Sequence, residues 1–206
     1  NHNILNFVWQ PSEHWTHNAT LHYTYGYGYY NEFRRASALG KKFGLNVYDA
    51  DGELIESEAV RHKGLTQNNY GALYNVSYHD DAWDVIGGLS AQMFRCNHWG
   101  YLTYIANEEV ERQYLTDGGK YKYYDSDADK NDYSWFVKAA YNFGSGWNAF
   151  ADMQMRIVDY TTDGVNDKFI KGKKDGRQFY TQQQLNIDET YVFYNPKAGI
   201  SYTRGG

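Results

Sequence analysis

Side-chain character alternates with a period of two along much of this chain, a pattern that a strand can use and a helix cannot. Leu21, Tyr23, Tyr25, Tyr27 and Tyr29 fall on one face, with His22, Thr24, Gly26 and Gly28 on the other. Tyr70, Ala72, Tyr74, Val76 and Tyr78 oppose Gly71, Leu73, Asn75 and Ser77 in the same way. So do Trp83, Val85, Leu89 and Met93 against Asp84, Ser90 and Gln92, and Trp147, Ala149, Ala151, Met153 and Met155 against Asn148, Asp152 and Gln154. The pattern predicts seven strands, roughly at 3–10, 17–30, 69–79, 83–98, 133–143, 147–160 and 191–203. The 22 Tyr, 6 Trp and 10 Phe suit pleated strands, and only 2 Pro interrupt them.

The connections alternate in length. Short ones are predicted at Pro11–Thr16, His79–Ala82 and Gly144–Gly146, and long ones at Asn31–Asn68, Trp99–Asp132 and Thr161–Thr190. Trp9, Trp15, Tyr78, Trp83, Phe143, Trp147 and Tyr202 crowd the short-turn end. Outer-membrane barrels have short turns on one side, long loops on the other and aromatic girdles at the water interfaces. The second face carries Gly, Ser, Asn, Gln and Thr with few charges, which suits a wet lumen better than a protein surface. The sequence therefore predicts an all-β, antiparallel transmembrane β-barrel segment. A soluble β-sandwich is the alternative, with its aromatic face on a core. Seven strands are an odd number, whereas single-chain bacterial barrels have an even one, so further strands are expected elsewhere. The start at Asn1 reads as mid-strand and the end, Thr203 to Gly206, as a turn.

Other classes find little support. A formal charge of −5 disfavours nucleic acid as a partner. The single cysteine, Cys96, forms no internal disulfide. There is no Gly-x-Ser-x-Gly, phosphate loop or His-Glu-x-x-His, so no enzyme is expected, and no cofactor. Asp125 to Asp129 has the start of a calcium loop, but Lys130 stands where Gly is required and Phe136 where Glu is, so a solvated acidic loop is expected. His14 and His17 lack a third metal ligand. Asp152 and Arg156 share a face and are expected to form a salt bridge in the lumen. Asn31 to Gly40 reads as a short helix, with Asn31 as N-cap and Gly40 as stop. Asp51-Gly52 and Thr116 to Lys120 read as hairpin tips.

Gly28-Tyr29-Tyr30-Asn31-Glu32-Phe33, followed by a short helix ending near Gly44-Leu45, resembles a segment of TonB-dependent outer-membrane receptors of the Bacteroidetes. Tyr123-Tyr124-Asp125 through Asp132 resembles another, as does Ala149 to Arg156 running into Tyr160 and Asp163-Gly164. Phe193-Tyr194-Asn195-Pro196-Lys197-Ala198-Gly199-Ile200-Ser201-Tyr202 is similar to the Asn-Pro-Lys-x-Gly strand of these receptors. The likeness runs in order along nearly the whole chain. It implies a plugged barrel of about 22 strands, of which residues 1–206 form a part without the plug. It also implies import of a scarce nutrient across the outer membrane, such as a ferric siderophore, haem, cobalamin or glycan. The partners it implies are the lipid bilayer, the rest of the barrel, its plug and TonB. Tyr30, Arg34, Arg35, Arg61, Tyr101, Tyr104, Arg112 and Tyr124 lie in the long connections and are the candidate substrate contacts, because Tyr stacks on flat ligands and Arg pairs with anions. A soluble or surface-displayed β-sheet module for ligand binding or adhesion, and a passive outer-membrane porin, are the competing readings.

Overall fold

A computed structural model describes residues 1–204. The end of the turn expected at Thr203 to Gly206 lies outside the described residues. One antiparallel sheet contains seven strands in sequence order: β1 (His2–Trp9), β2 (Trp15–Ala38), β3 (Glu56–His79), β4 (Trp83–Ile105), β5 (Tyr121–Gly144), β6 (Trp147–Lys174) and β7 (Arg177–Tyr202). Two short helices, α1 (Leu39–Phe43) and α2 (Glu108–Tyr114), sit in the connections. β1 pairs with β2 and β7 with β6, so among the described residues both outer strands keep a free edge.

The register joins the alternating faces into continuous surfaces. One row runs Leu5–Leu21–Ala72–Ala91–Tyr133–Ile157–Val192, and the next Phe7–Ala19–Tyr74–Leu89–Trp135–Met155–Tyr194. On the opposite face a row runs Asn6–Thr20–Leu73–Ser90–Ser134–Arg156–Phe193. Among the described residues no second layer covers the apolar face: Leu89 is 61% exposed and Ile200 68%.

The apolar surface is a band with limits. At the short-turn end it closes on aromatic pairs, Trp15 with Tyr78, Trp83 with Tyr141, and Trp147 with Tyr202, at centroid distances of 4.9, 4.6 and 4.9 Å. Toward the other end the same face turns polar along the row Tyr25–Asn68–Arg95–Asp129–Thr161–Asp188. Beyond it on the β2 side lies a second aromatic group, Tyr27, Tyr29, His62, Trp99 and Tyr101. Trp83 to Met93 spans about 33 Å along the strand.

Aromatics on the polar face have a local reason. Phe136 lies across Gly88 and Phe150 across Gly199, so closely that a Cβ on either glycine would sit 2.3 or 2.6 Å from the ring. Neither ring needs a hydrophobic core, because each covers bare backbone on the neighbouring strand.

The strands run farther than the alternation suggested. Those from β2 to β7 are 23 to 28 residues long, against the ~10 of a membrane-crossing strand. The third long connection, Thr161–Thr190, is not a loop. β6 and β7 pair until Lys174↔Arg177, where Asp175 (φ 52°) and Gly176 (φ 79°) make a two-residue turn. Asp51-Gly52 and Gly118-Gly119 do form tips, closed by the bridges Tyr48↔Leu54 and Asp117↔Lys120.

The helix expected at Asn31–Gly40 is a strand up to Ala38, since pairing with β3 through Arg34↔Ala59 and Ser37↔Ser57 satisfies that backbone. The chain becomes helical at Leu39 and stops at Gly44 (φ 72°), whose N–H donates to the Gly40 carbonyl at 3.0 Å. That agrees with the helix end near Gly44-Leu45. Asp125 to Asp129 is strand rather than loop, and the Asn97 amide donates to Asp125 and Asp127 at 2.7 and 3.0 Å. Arg156 pairs with Asp132 on β5 instead of Asp152, which stands opposite Lys138 and Lys197. Cross-strand neighbours are closer than residues four apart along one strand.

The short turn before β4 is fixed by Asp80. Its carboxylate accepts from the Ala82 and Trp83 backbone N–H groups at 2.8 and 2.6 Å and from the Tyr78 hydroxyl at 2.6 Å. These donors hold its pKa down to about 2. Because the folded value is depressed, this contribution is present above the ordinary 3.8 and lost as pH falls through about 2. A carboxyl titration by NMR is expected to give a midpoint near 2 for Asp80, with protection of the Ala82 and Trp83 amides lost over the same range. A midpoint near 4 would contradict this turn geometry.

Candidate functional site

The main buried cluster lies at the long-hairpin end, on the polar face. Leu39, Phe43, Leu45, Ala59, Leu102, Ile105, Val110, Tyr123 and Tyr124 form it. The chain after β2 turns back through α1 and the 45–55 hairpin to cover the upper strands. Asn46 pins that hairpin to β7: its amide donates to the Tyr180 carbonyl at 2.8 Å and its oxygen accepts from the Tyr180 N–H at 2.8 Å. The Tyr48 hydroxyl donates to the Gln178 carbonyl at 2.6 Å. The Asn107 side chain caps α2 by accepting from the Val110 N–H at 3.1 Å, which seats Val110 in the cluster.

Beside this cluster is a cleft of about 590 Å³, within the usual size range of small-molecule sites. Arg34 of β2, Lys41 and Lys42 of α1, Arg61 of β3, Asp167, Lys168, Phe169 and Lys171 of β6, and Tyr180 of β7 line it. The cations arrive by several local routes. β2 presents Glu32 and Arg34 on the polar face, where Arg61 stands opposite Glu32. Lys41 and Lys42 occupy the last turn of α1, where cations suit the helix dipole. The break in register between Val165 and Phe169 swings Asp167 and Lys168 toward the cleft.

Glu32 organises the arginines. One carboxylate oxygen accepts from Arg61 Nε and Nη2 at 2.8 and 2.5 Å, and the other from Arg34 Nη1 at 2.6 Å. Hydrogen bonds from Arg61 and then Arg34 hold the Glu32 pKa below the usual carboxylate range. Lys63 Nζ donates to Asp167 at 2.6 Å. Lys41, Lys42, Lys168 and Lys171 form no ion pair among the described residues. The Tyr123 hydroxyl is buried without a hydrogen-bond partner among the described residues. Burial pushes its pKa up to about 12, against the lowering influence of the Arg61 guanidinium.

The candidate residues read from sequence divide by place. Arg34 and Arg61 line the cleft. Tyr30 stands opposite Lys63 on the same face and is exposed. Tyr101 and Tyr104 lie on the opposite face, where Lys120 and Lys122 pack over the Tyr101 ring at 5.9 and 5.5 Å. Arg112 lines a different hollow with Glu108 and Glu111. Arg35 is exposed at the irregular end of β2. Tyr124 is only 6% exposed and belongs to the buried cluster. Loop placement, which singled these residues out, is itself corrected: Arg112 is helical and the other seven are in strands.

Lys41, Lys42, Lys168 and Lys171 went unrecognised in the sequence. A basic pair before Gly44 and the Lys168-x-x-Lys171 spacing were visible, but nothing in one dimension joins them across the sheet. No family model matches the chain, and no curated protein matches it.

Proposed function

We propose that this chain is part of an outer-membrane β-barrel receptor of the TonB-dependent kind, importing a scarce nutrient. The observation that carries the membrane reading is the apolar band, about 33 Å long along the strands, on one face of a single sheet left uncovered among the described residues; at the usual tilt of barrel strands it would stand about 25 Å tall. Aromatic pairs edge it below, and above it the face turns polar. A soluble sheet would bury such a face against a second layer. Strands continuing well past the band, with a small core of their own, suit an extracellular mouth. The free edges of β1 and β7 are satisfied in lipid by further strands of the same barrel. The import step and the TonB requirement rest on the motif resemblance, and the cationic cleft on the polar face supplies a place for substrate capture.

The test is localisation followed by energetics. The complete protein is expected in the outer-membrane fraction, migrating faster unheated than boiled on a denaturing gel. Uptake of its nutrient is expected to stop when TonB is deleted. Recovery as a soluble monomer would favour the displayed binding domain, and solute passage that persists without TonB would favour the porin.

A further inference from the structure

Six cationic side chains line the cleft against a single lining carboxylate, Asp167. The chain has only 20 Lys and Arg in all and a net charge of −5, so composition does not account for this concentration. Like charges gathered on one wall raise the energy of the folded state unless an anion neutralises them. Folding does not require the arrangement either, because the neighbouring cluster is held by Leu39, Phe43 and Tyr123. Glu32 holds the two guanidinium groups of Arg34 and Arg61 by hydrogen bonds.

We infer that the cleft between α1, β3 and β6 binds a soluble, multiply charged anion carrying carboxylate or phosphate groups. The inference deepens the receptor reading and rests on it, because it names the substrate class of that mouth. Arg34 and Arg61 supply planar donors for paired oxygens. Lys41, Lys42, Lys168 and Lys171 supply unspent positive charge around them, and Glu32 is a positioning residue that keeps the arginines from collapsing outward. Membrane headgroups are unsuited as the source, since the cleft opens on the face opposite the apolar band.

The experiment is calorimetry on the complete protein in detergent at low salt, with citrate, pyrophosphate and maltose as probes. Citrate or pyrophosphate is expected to bind, maltose is not, and affinity should fall as salt rises. Replacing Lys41, Lys42, Lys168 and Lys171 together by Gln is expected to weaken the anion on the order of a hundredfold. The fourfold Arg variant should retain binding, and Glu32→Gln should weaken it with no loss of positive charge. Anions bound no better than maltose would overturn the inference, as would unchanged affinity in the Gln variant or equal loss in the Arg variant. Outer-membrane partition and heat-dependent gel mobility of the same samples report on the receptor reading separately. A protein that inserts normally and ignores anions sinks this inference alone.

Discussion

If the apolar band faces lipid as proposed, Leu89→Arg is expected to cost about 2–4 kcal/mol and to remove most of the protein from the outer membrane, whereas Ser90→Arg next to it is tolerated. Leu89 sits within the apolar band, paired with Tyr74 and Trp135, and is 61% exposed. Ser90 faces the other way, between Leu73 and Ser134. In water an Arg at so exposed a position costs little, because the guanidinium stays hydrated and its stem lies along the neighbouring rings. In hydrocarbon the same charge loses its hydration. An exposed face in water therefore predicts little difference between the two substitutions, and a face in hydrocarbon a large one. Folding yield into lipid vesicles, read by heat-dependent gel mobility, measures the difference. Equal yields for the two variants would remove the main physical support for a membrane protein.

Leu102→Ala is expected to open the upper hairpins without unfolding the band. Leu102 is fully buried, between Arg61 of β3 and Tyr121 of β5 in the register. Emptying such a site costs about 2–5 kcal/mol. The loss falls on the cluster of Leu39, Phe43, Val110 and Tyr123, which makes up the packed core of the upper region. An opening cost lowered by 2 kcal/mol raises the open population about thirtyfold. Tryptic cleavage after Lys41 and Lys42 should accelerate by a similar factor, because proteolysis follows the open fraction when reclosing is fast. Gel mobility and membrane partition should stay unchanged. Parent-like cleavage would mean that α1 is held by Asn46 and Tyr48 rather than by the buried cluster.

Within the seven spans where side chains alternate, strand character and the facing of each side chain were legible in the sequence alone, whereas the extensions of β2 to β7 beyond them were not. Alternation is local, and each strand's apolar set could be placed on one face without knowing its neighbours. The short turns were equally legible, since Asp80, Gly144 and Gly146 act within a few residues of themselves. The tertiary structure decided what local signals leave open. Asn31 to Ala38 has helical appeal in isolation, but its backbone hydrogen bonds go to β3. Arg156 reaches Asp132 because the sheet brings β5 against β6, which no spacing along one strand expresses. The cleft depends on the same long-range step. Arg34 and Arg61 were picked out singly for their chemistry, and the four lysines were not picked out at all. They meet because α1 folds back over the sheet while the β6 register breaks beside it. Hydrophobic periodicity is written residue by residue, but a charge cluster exists only after distant segments have paired.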